Sequence, residues 1–172
     1  MNKINSDKLK YVAIIIGGLI ATITGHCQEK PATTAEPAAI TLPAAAHRFL
    51  DFYSSQQLTF AIDPDSISIQ SGPDNEVRYT LKAISQQGAV NLSYEGIRCS
   101  NRQKIIYAIG NKDGTWTLTR TPEWSAIYIR GMNTQHASLA NGYFCSGGTV
   151  AGKEATIVRR IESKKALDDP EK

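Results

Sequence analysis

Between Leu58 and Thr119 the chain breaks into short runs rich in β-branched and aromatic residues: Leu58–Ile62, Ser66–Gln70, Val77–Ile84, Val90–Arg98, Gln103–Ile109 and Thr115–Thr119. Turn-forming residues stand between them: Asp63-Pro64-Asp65, Ser71 to Asn75, Gln86-Gln87-Gly88, Ser100-Asn101 and Gly110 to Gly114. Connections this short join antiparallel neighbours, because a parallel pair needs a long crossover. The expected fold is therefore α+β, an antiparallel meander sheet of about five strands with short helices packed on it and one disulfide.

Alternation within the runs assigns faces. Val77, Tyr79, Leu81 and Ala83 fall on one side of a strand, and Arg78, Thr80 and Lys82 on the other. Leu92 and Tyr94 share a side of the next strand, and Ile105, Tyr107 and Ile109 alternate in the one after. Outside the runs, His47–Tyr53 sets Phe49, Leu50 and Tyr53 at helical spacing and predicts one or two helical turns. Asn133–Ala140 predicts a short helix capped by Asn133 and stopped by Asn141-Gly142. A second helix is expected over Glu154–Lys165, where Ile157, Val158 and Ile161 share a face and acid precedes base; its β-branched content leaves a strand as the alternative. No long internal repeat is present, which excludes a solenoid or propeller.

The ends differ in composition. Lys3, Lys8 and Lys10 precede an uncharged apolar run from Tyr11 to Gly25, an order that predicts a signal peptide over residues 1–26. Thr24-Gly25-His26-Cys27 resembles a lipobox, although leucine is wanted at Thr24 and a small residue at His26. Cys27 is thus a candidate for lipidation, with cleavage near Ile23–Cys27 and retention as an uncleaved anchor as alternatives. All three place the domain outside the cytoplasmic membrane. Residues 27–46 are rich in Ala, Thr and Pro and predict a linker, 47–165 the globular domain, and 166–172 a disordered tail. Loss of residues 1–26 removes Lys3, Lys8, Lys10 and Asp7, so the formal charge of +3 falls to +1. A nucleic-acid partner is not expected from so weak a basic field.

Past Cys27 only Cys99 and Cys145 remain. Two thiols in an oxidising compartment predict a disulfide. The rival is a reactive thiol with a nearby base, for which His136 is the candidate.

The run Ser93-Tyr94-Glu95-Gly96-Ile97-Arg98-Cys99 follows Val77–Leu81 and precedes Tyr107–Gly110, Trp116 and Tyr143-Phe144-Cys145. In order and spacing this resembles the CNP-one-like family of uncharacterised proteobacterial envelope proteins, over about residues 57–162. The resemblance implies secretion, a domain opening at Asp63-Pro64-Asp65-Ser66 and pairing of Cys99 with Cys145, and it implies no activity. A looser likeness to surface-adhesin protein E-type domains rests on general shape alone.

Candidate site residues follow from chemistry. Glu95 shares a strand face with Ile97 and Cys99, so its carboxylate needs a buried partner, for which Arg130 is the candidate. Arg78, Lys82 and Arg98 form a basic patch if neighbouring strands align them, suited to an anionic ligand; the alternative is a solvated outer face. Trp116 and Trp124 flank Arg120 and Pro122 and offer a stacking surface for sugar or protein, the alternative being that they cap the core. His47 and His136 lie outside any ligand-spaced cluster, so no metal and no cofactor are expected. Ser93 lacks the first glycine of a nucleophile elbow. The expected role is a non-catalytic accessory or binding module of the cell envelope, in the periplasm or at the outer membrane or cell surface. Its partner would be an envelope or surface protein or an anionic ligand, with membrane association through Cys27 or the N-terminal segment. An adhesin-like surface protein and a small envelope enzyme without a sequence motif are the alternatives.

Overall fold

The structure, a computed structural model, describes residues 40–72, 74–131 and 134–167. The expected export segment, Cys27, the linker up to residue 39, the Asn133 cap and the tail beyond Leu167 lie outside the described residues.

Six strands run in sequence order as an antiparallel meander: β1 Leu50–Ser54, β2 Leu58–Gln70, β3 Glu76–Ser85, β4 Val90–Arg98, β5 Gln103–Gly110 and β6 Trp116–Leu118. A two-residue strand, β7 Ser125–Ala126, pairs with the start of β5. Then come α1 Thr134–Leu139, a π-helical turn Ala140–Phe144, a hairpin of β8 Cys145–Ser146 and β9 Thr149–Val150, and α2 Glu154–Glu162.

The helices cover one face of the sheet. Ile62, Val77, Tyr79 and Ile97 from the strands pack there against Leu139, Phe144, Ile157 and Ile161. Tyr79 meets Phe144 edge-on with ring centroids 5.2 Å apart. Cys99, at the end of β4, is bonded to Cys145, with Cα atoms 5.4 Å apart. Closing a loop of 46 residues stabilises the fold by about 4 kcal/mol on the chain-entropy view.

The local expectations for α2 and for β3 to β6 hold with shifts of one to three residues at their ends, α2 closing at Glu162 and not at Lys165. Four others are corrected. His47–Tyr53 contributes an edge strand from Leu50, not a helical turn. Asp51 pairs with Ala61 and Tyr53 with Phe60, so Phe52 is the extra residue of a bulge, and this bulge mimics helical spacing. Asp63-Pro64-Asp65 does not separate two strands: β2 runs through it as an enlarged bulge, pairing Asp63 with Thr80 and Ser68 with Arg78 so that residues 64–67 stand opposite Tyr79 alone. Pro64 is tolerated there because a bulge asks no ladder hydrogen bond of it. Asn141-Gly142 does not end the helical segment, which continues as the π-helical turn to Phe144, and the Arg160 guanidinium donates to the carbonyls of Tyr143 at 2.6 Å and Ala151 at 3.0 Å beside it. Finally, residues 40–46 of the expected linker lie on the domain, and at the other end Leu167 N–H donates to Gly142 O at 2.7 Å.

The second sheet face has its own small apolar cluster of Tyr94, Ile105, Tyr107 and Ala108, with Ile40, Leu42, Trp116 and Trp124 packed against it. Tyr94 pairs with Ala108 and Glu95 with Ile106, which makes Tyr107 the extra residue of a bulge in β5. Tyr107 and Ala108 therefore both join this face, and Ile109, expected to alternate with Tyr107 on one side, lies opposite Ser93 and is exposed.

Candidate functional site

Two polar clusters are built on opposite faces of β3 and β4. Strand alternation places Tyr79 and Glu95 directly across from each other on the helix-covered face. Glu95 is 2 % exposed and accepts from Ser93 Oγ at 2.6 Å, Tyr79 Oη at 3.1 Å and His136 Nε2 at 2.7 Å. Burial pushes its carboxyl up, but the His136, Ser93 and Tyr79 contacts outweigh this and hold it below the usual range. Burial, reinforced by the Glu95 charge, drives the Tyr79 phenol well above its ordinary value. Ser93 donates to the carboxylate and not to the imidazole, so the three residues do not form a nucleophile and base. They tie α1 to the middle of the sheet.

On the second face, Glu76 and Arg78 are two apart on β3 and so point the same way. Arg78 donates from Nε to Glu76 Oε1 at 2.9 Å and from Nη2 to Oε2 at 3.2 Å, a paired fork. Tyr107 Oη donates to the same Oε1 at 2.6 Å, and the Arg78 guanidinium lies 4.9 Å over the Tyr107 ring. The Tyr107 phenol is raised, first by burial and then by Glu76. Glycine at position 96, paired with Arg78, makes this arrangement fit: a Cβ there would collide with Glu76 Oε1.

Around this pair runs an aromatic rim. Tyr94 packs on Tyr107 and Trp116 at centroid distances of 6.1 and 6.2 Å, and Trp124 meets Tyr107 edge-on at 6.5 Å. Arg98 stacks 3.8 Å over the Trp124 ring and faces Asp74 at 3.4 Å. Residues 40–46 cross this rim as a strap. Ile40 and Leu42 rest on the aromatic cluster, and Trp116 Nε1 donates to Pro43 O at 3.0 Å. No backbone-to-backbone hydrogen bond joins residues 40–46 to the other described residues.

Beside the strap is a depression of about 380 Å³. Its walls are Thr41–Ala44 of the strap and Asp65–Ser68 of the β2 bulge, with Gln70, Arg78 and Tyr94 completing it. The Asp63-Pro64-Asp65-Ser66 motif is thus the scaffold of one wall. Ser66 Oγ donates to Asp63 O at 2.8 Å and accepts from Thr80 N at 2.7 Å, while Asp63 Oδ1 accepts from Asp65 N at 3.0 Å.

The structure brings Arg78, Lys82, Arg98, Trp116 and Trp124 to one face, but not as an open cationic patch. Arg78 is buried against Glu76, Arg98 is stacked on Trp124, and Lys82 Nζ lies 4.6 Å from the Phe49 ring centroid. The guanidinium on Trp124 comes from Arg98; Arg120 is exposed. The Glu95–Arg130 ion pair is corrected: Arg130 is exposed, and the buried partner of Glu95 is His136. In place of the guanidinium of Arg130, two hydroxyls and an imidazole meet the Glu95 carboxylate. Glu76 and Tyr107 complete the Arg78 cluster beyond the site residues expected from sequence, and the sequence signal for Glu76 is its two-residue spacing from Arg78 on a strand. The reactive-thiol alternative is removed by the disulfide. Among the described residues no group of three or more His, Cys, Asp or Glu converges on a metal-sized site.

A family model described as the CNP1-like family matches residues 28–162, a span that includes the strap and both sheet faces. The chain is also 30% identical over 111 residues to Cryptic neisserial protein 1 of Neisseria gonorrhoeae, a match covering 57% of this chain and 54% of that protein. The match therefore spans about half the length of that relative. No solved structure matches the chain.

Proposed function

The chain belongs to the CNP1-like family, and from that premise we propose that it is an exported, non-catalytic binding module of the cell envelope that meets its partner with the second sheet face. The observation that carries this reading is the concentration on one face of Tyr94, Tyr107, Trp116 and Trp124 with Arg78, Arg98 and a 380 Å³ depression. Aromatic and arginine side chains held rigid by their own neighbours are what binding surfaces use, since little entropy is lost when a partner arrives. Beneath them the sheet is fixed by the disulfide and the Glu95 network. The basic-then-apolar N-terminus and the Cys99–Cys145 bond both favour an oxidising compartment.

The test is co-isolation of partners from the envelope fraction with tagged full-length protein, comparing wild type with a Trp124→Ala, Arg98→Ala variant. A partner held by wild type and lost by a variant that keeps its disulfide and its cooperative melt supports the proposal. A protein found reduced in the cytoplasm, or partners indifferent to the variant, would overturn it.

A further inference from the structure

The strap is held in an unusual way for a segment lying on a sheet. It adds no strand, because its backbone makes no ladder contact. Its grip comes from two apolar side chains, Ile40 and Leu42, set on aromatic rings, and from one indole N–H that reads the carbonyl of a proline. Aromatic grooves that recognise proline-containing segments work by these physical means: the proline is already restricted in φ and loses little entropy on docking, and its carbonyl is free because no ladder claims it. The strap also fills only part of the space offered, since the depression beside it stays open and carries the Ser68 hydroxyl and the Gln70 amide.

We propose that the second face is a receptor for extended, proline-containing segments of a partner protein, and that Ile40–Ala44 occupies it in cis as a displaceable plug. This rests on the binding-module reading and adds the ligand class. An incoming segment would place apolar residues where Ile40 and Leu42 sit, give a carbonyl to Trp116 Nε1, and fill the depression toward Gln70 with side chains larger than Thr41 and Ala44. A partner segment competes with the strap, so it binds only when its added contacts offset the strap's advantage of being tethered to the site.

The experiment uses the full chain carrying Ile40→Asp and Leu42→Asp, which unseats the strap, and a synthetic peptide of the sequence Ile40–Ala46 as probe. Binding is followed by tryptophan fluorescence and by the indole N–H signals in NMR spectra. The opened variant should bind the peptide at least about tenfold more tightly than wild type, and adding Trp116→Phe should weaken that binding by about five- to tenfold, the loss of one hydrogen bond. An opened variant that stays folded and ignores the peptide overturns the proposal, as does wild type binding equally well with its strap in place. Dimerisation of wild type by exchange of its intact straps would make a second copy the occupant and overturn the assignment to a partner.

Should the opened variant not fold, hydrogen exchange on wild type decides: the Trp116 indole N–H, which donates to the strap's Pro43 carbonyl, must exchange at least about a hundredfold faster than the backbone amides of β3 and β4, and equal protection contradicts a displaceable plug. Failure of the peptide to bind while envelope partners still depend on Trp124 and Arg98 would reject the proline-peptide ligand and leave the binding module standing.

Discussion

The Glu76 carboxylate lies over Gly96 in the space a side chain at position 96 would fill. That vacancy lets one carboxylate serve both Arg78 and Tyr107, and so lets a charge pair sit under an aromatic rim. Gly96→Ala forces Glu76 aside and should cost about 1–3 kcal/mol in a urea unfolding experiment. Gly142→Ala, whose added carbon meets only Ala166 at 3.5 Å, is the control and should change stability by less than about 0.5 kcal/mol.

The Glu95 network makes the fold acid-sensitive with a definite sign. The carboxyl is held below its ordinary 4.5, so the unfolded chain takes up the proton first as pH falls. Its stabilisation is complete above that ordinary value and drains away as pH drops through the lower folded value. Asp63 works in the opposite sense, since burial raises its carboxyl. The measurement is therefore the stability difference between wild type and Glu95→Gln. It should be about 2 kcal/mol at neutral pH and shrink steadily below pH 4.5. A difference that does not change with pH would show that the charge on Glu95 contributes nothing.

Ser66 tests whether the Asp63–Ser66 motif is a built bulge. Its hydroxyl occupies both Asp63 O and the buried amide of Thr80, so Ser66→Ala strands a backbone donor and should cost about 2 kcal/mol. Ser68→Ala, which loses side-chain contacts to the Gln70 amide and the Tyr94 phenol but strands no backbone donor, should cost less than about 1 kcal/mol in the same chemical denaturation.

Replacing Cys99 and Cys145 together by Ser removes the closure of a 46-residue loop. A loss of about 4 kcal/mol is expected, which lowers the melting temperature by on the order of 10 °C in calorimetry. Wild type with reductant should follow the variant.

What the sequence discloses here tracks how local each determinant is. The faces of β3 and β4 follow from strict alternation, and both strands appear within a residue of their expected ends. Alternation misleads where a bulge interrupts it, and both errors of this kind, at Phe52 and at Ile109, fall next to a shifted register. His136 is 41 residues from Glu95 and no periodicity links them; only the docking of α1 does. The strap was hidden by composition, since Ala, Thr and Pro describe a tether unless Ile40, Leu42 and Pro43 are seen against the rings that hold them. Gathering Arg78, Arg98, Trp116 and Trp124 on one face was within reach of sequence, but their mutual neutralisation and stacking were not.

The most direct test of the second face as the binding surface is photo-crosslinking in living cells from a probe amino acid placed at Gln70, which lines the depression, or at Arg159, exposed on α2 across the sheet. A discrete crosslinked partner from Gln70 and none from Arg159, with the product lost when Trp124 is replaced by Ala, is the predicted result. A partner captured from Arg159 and not from Gln70 would put the binding surface on the helices and contradict the assignment.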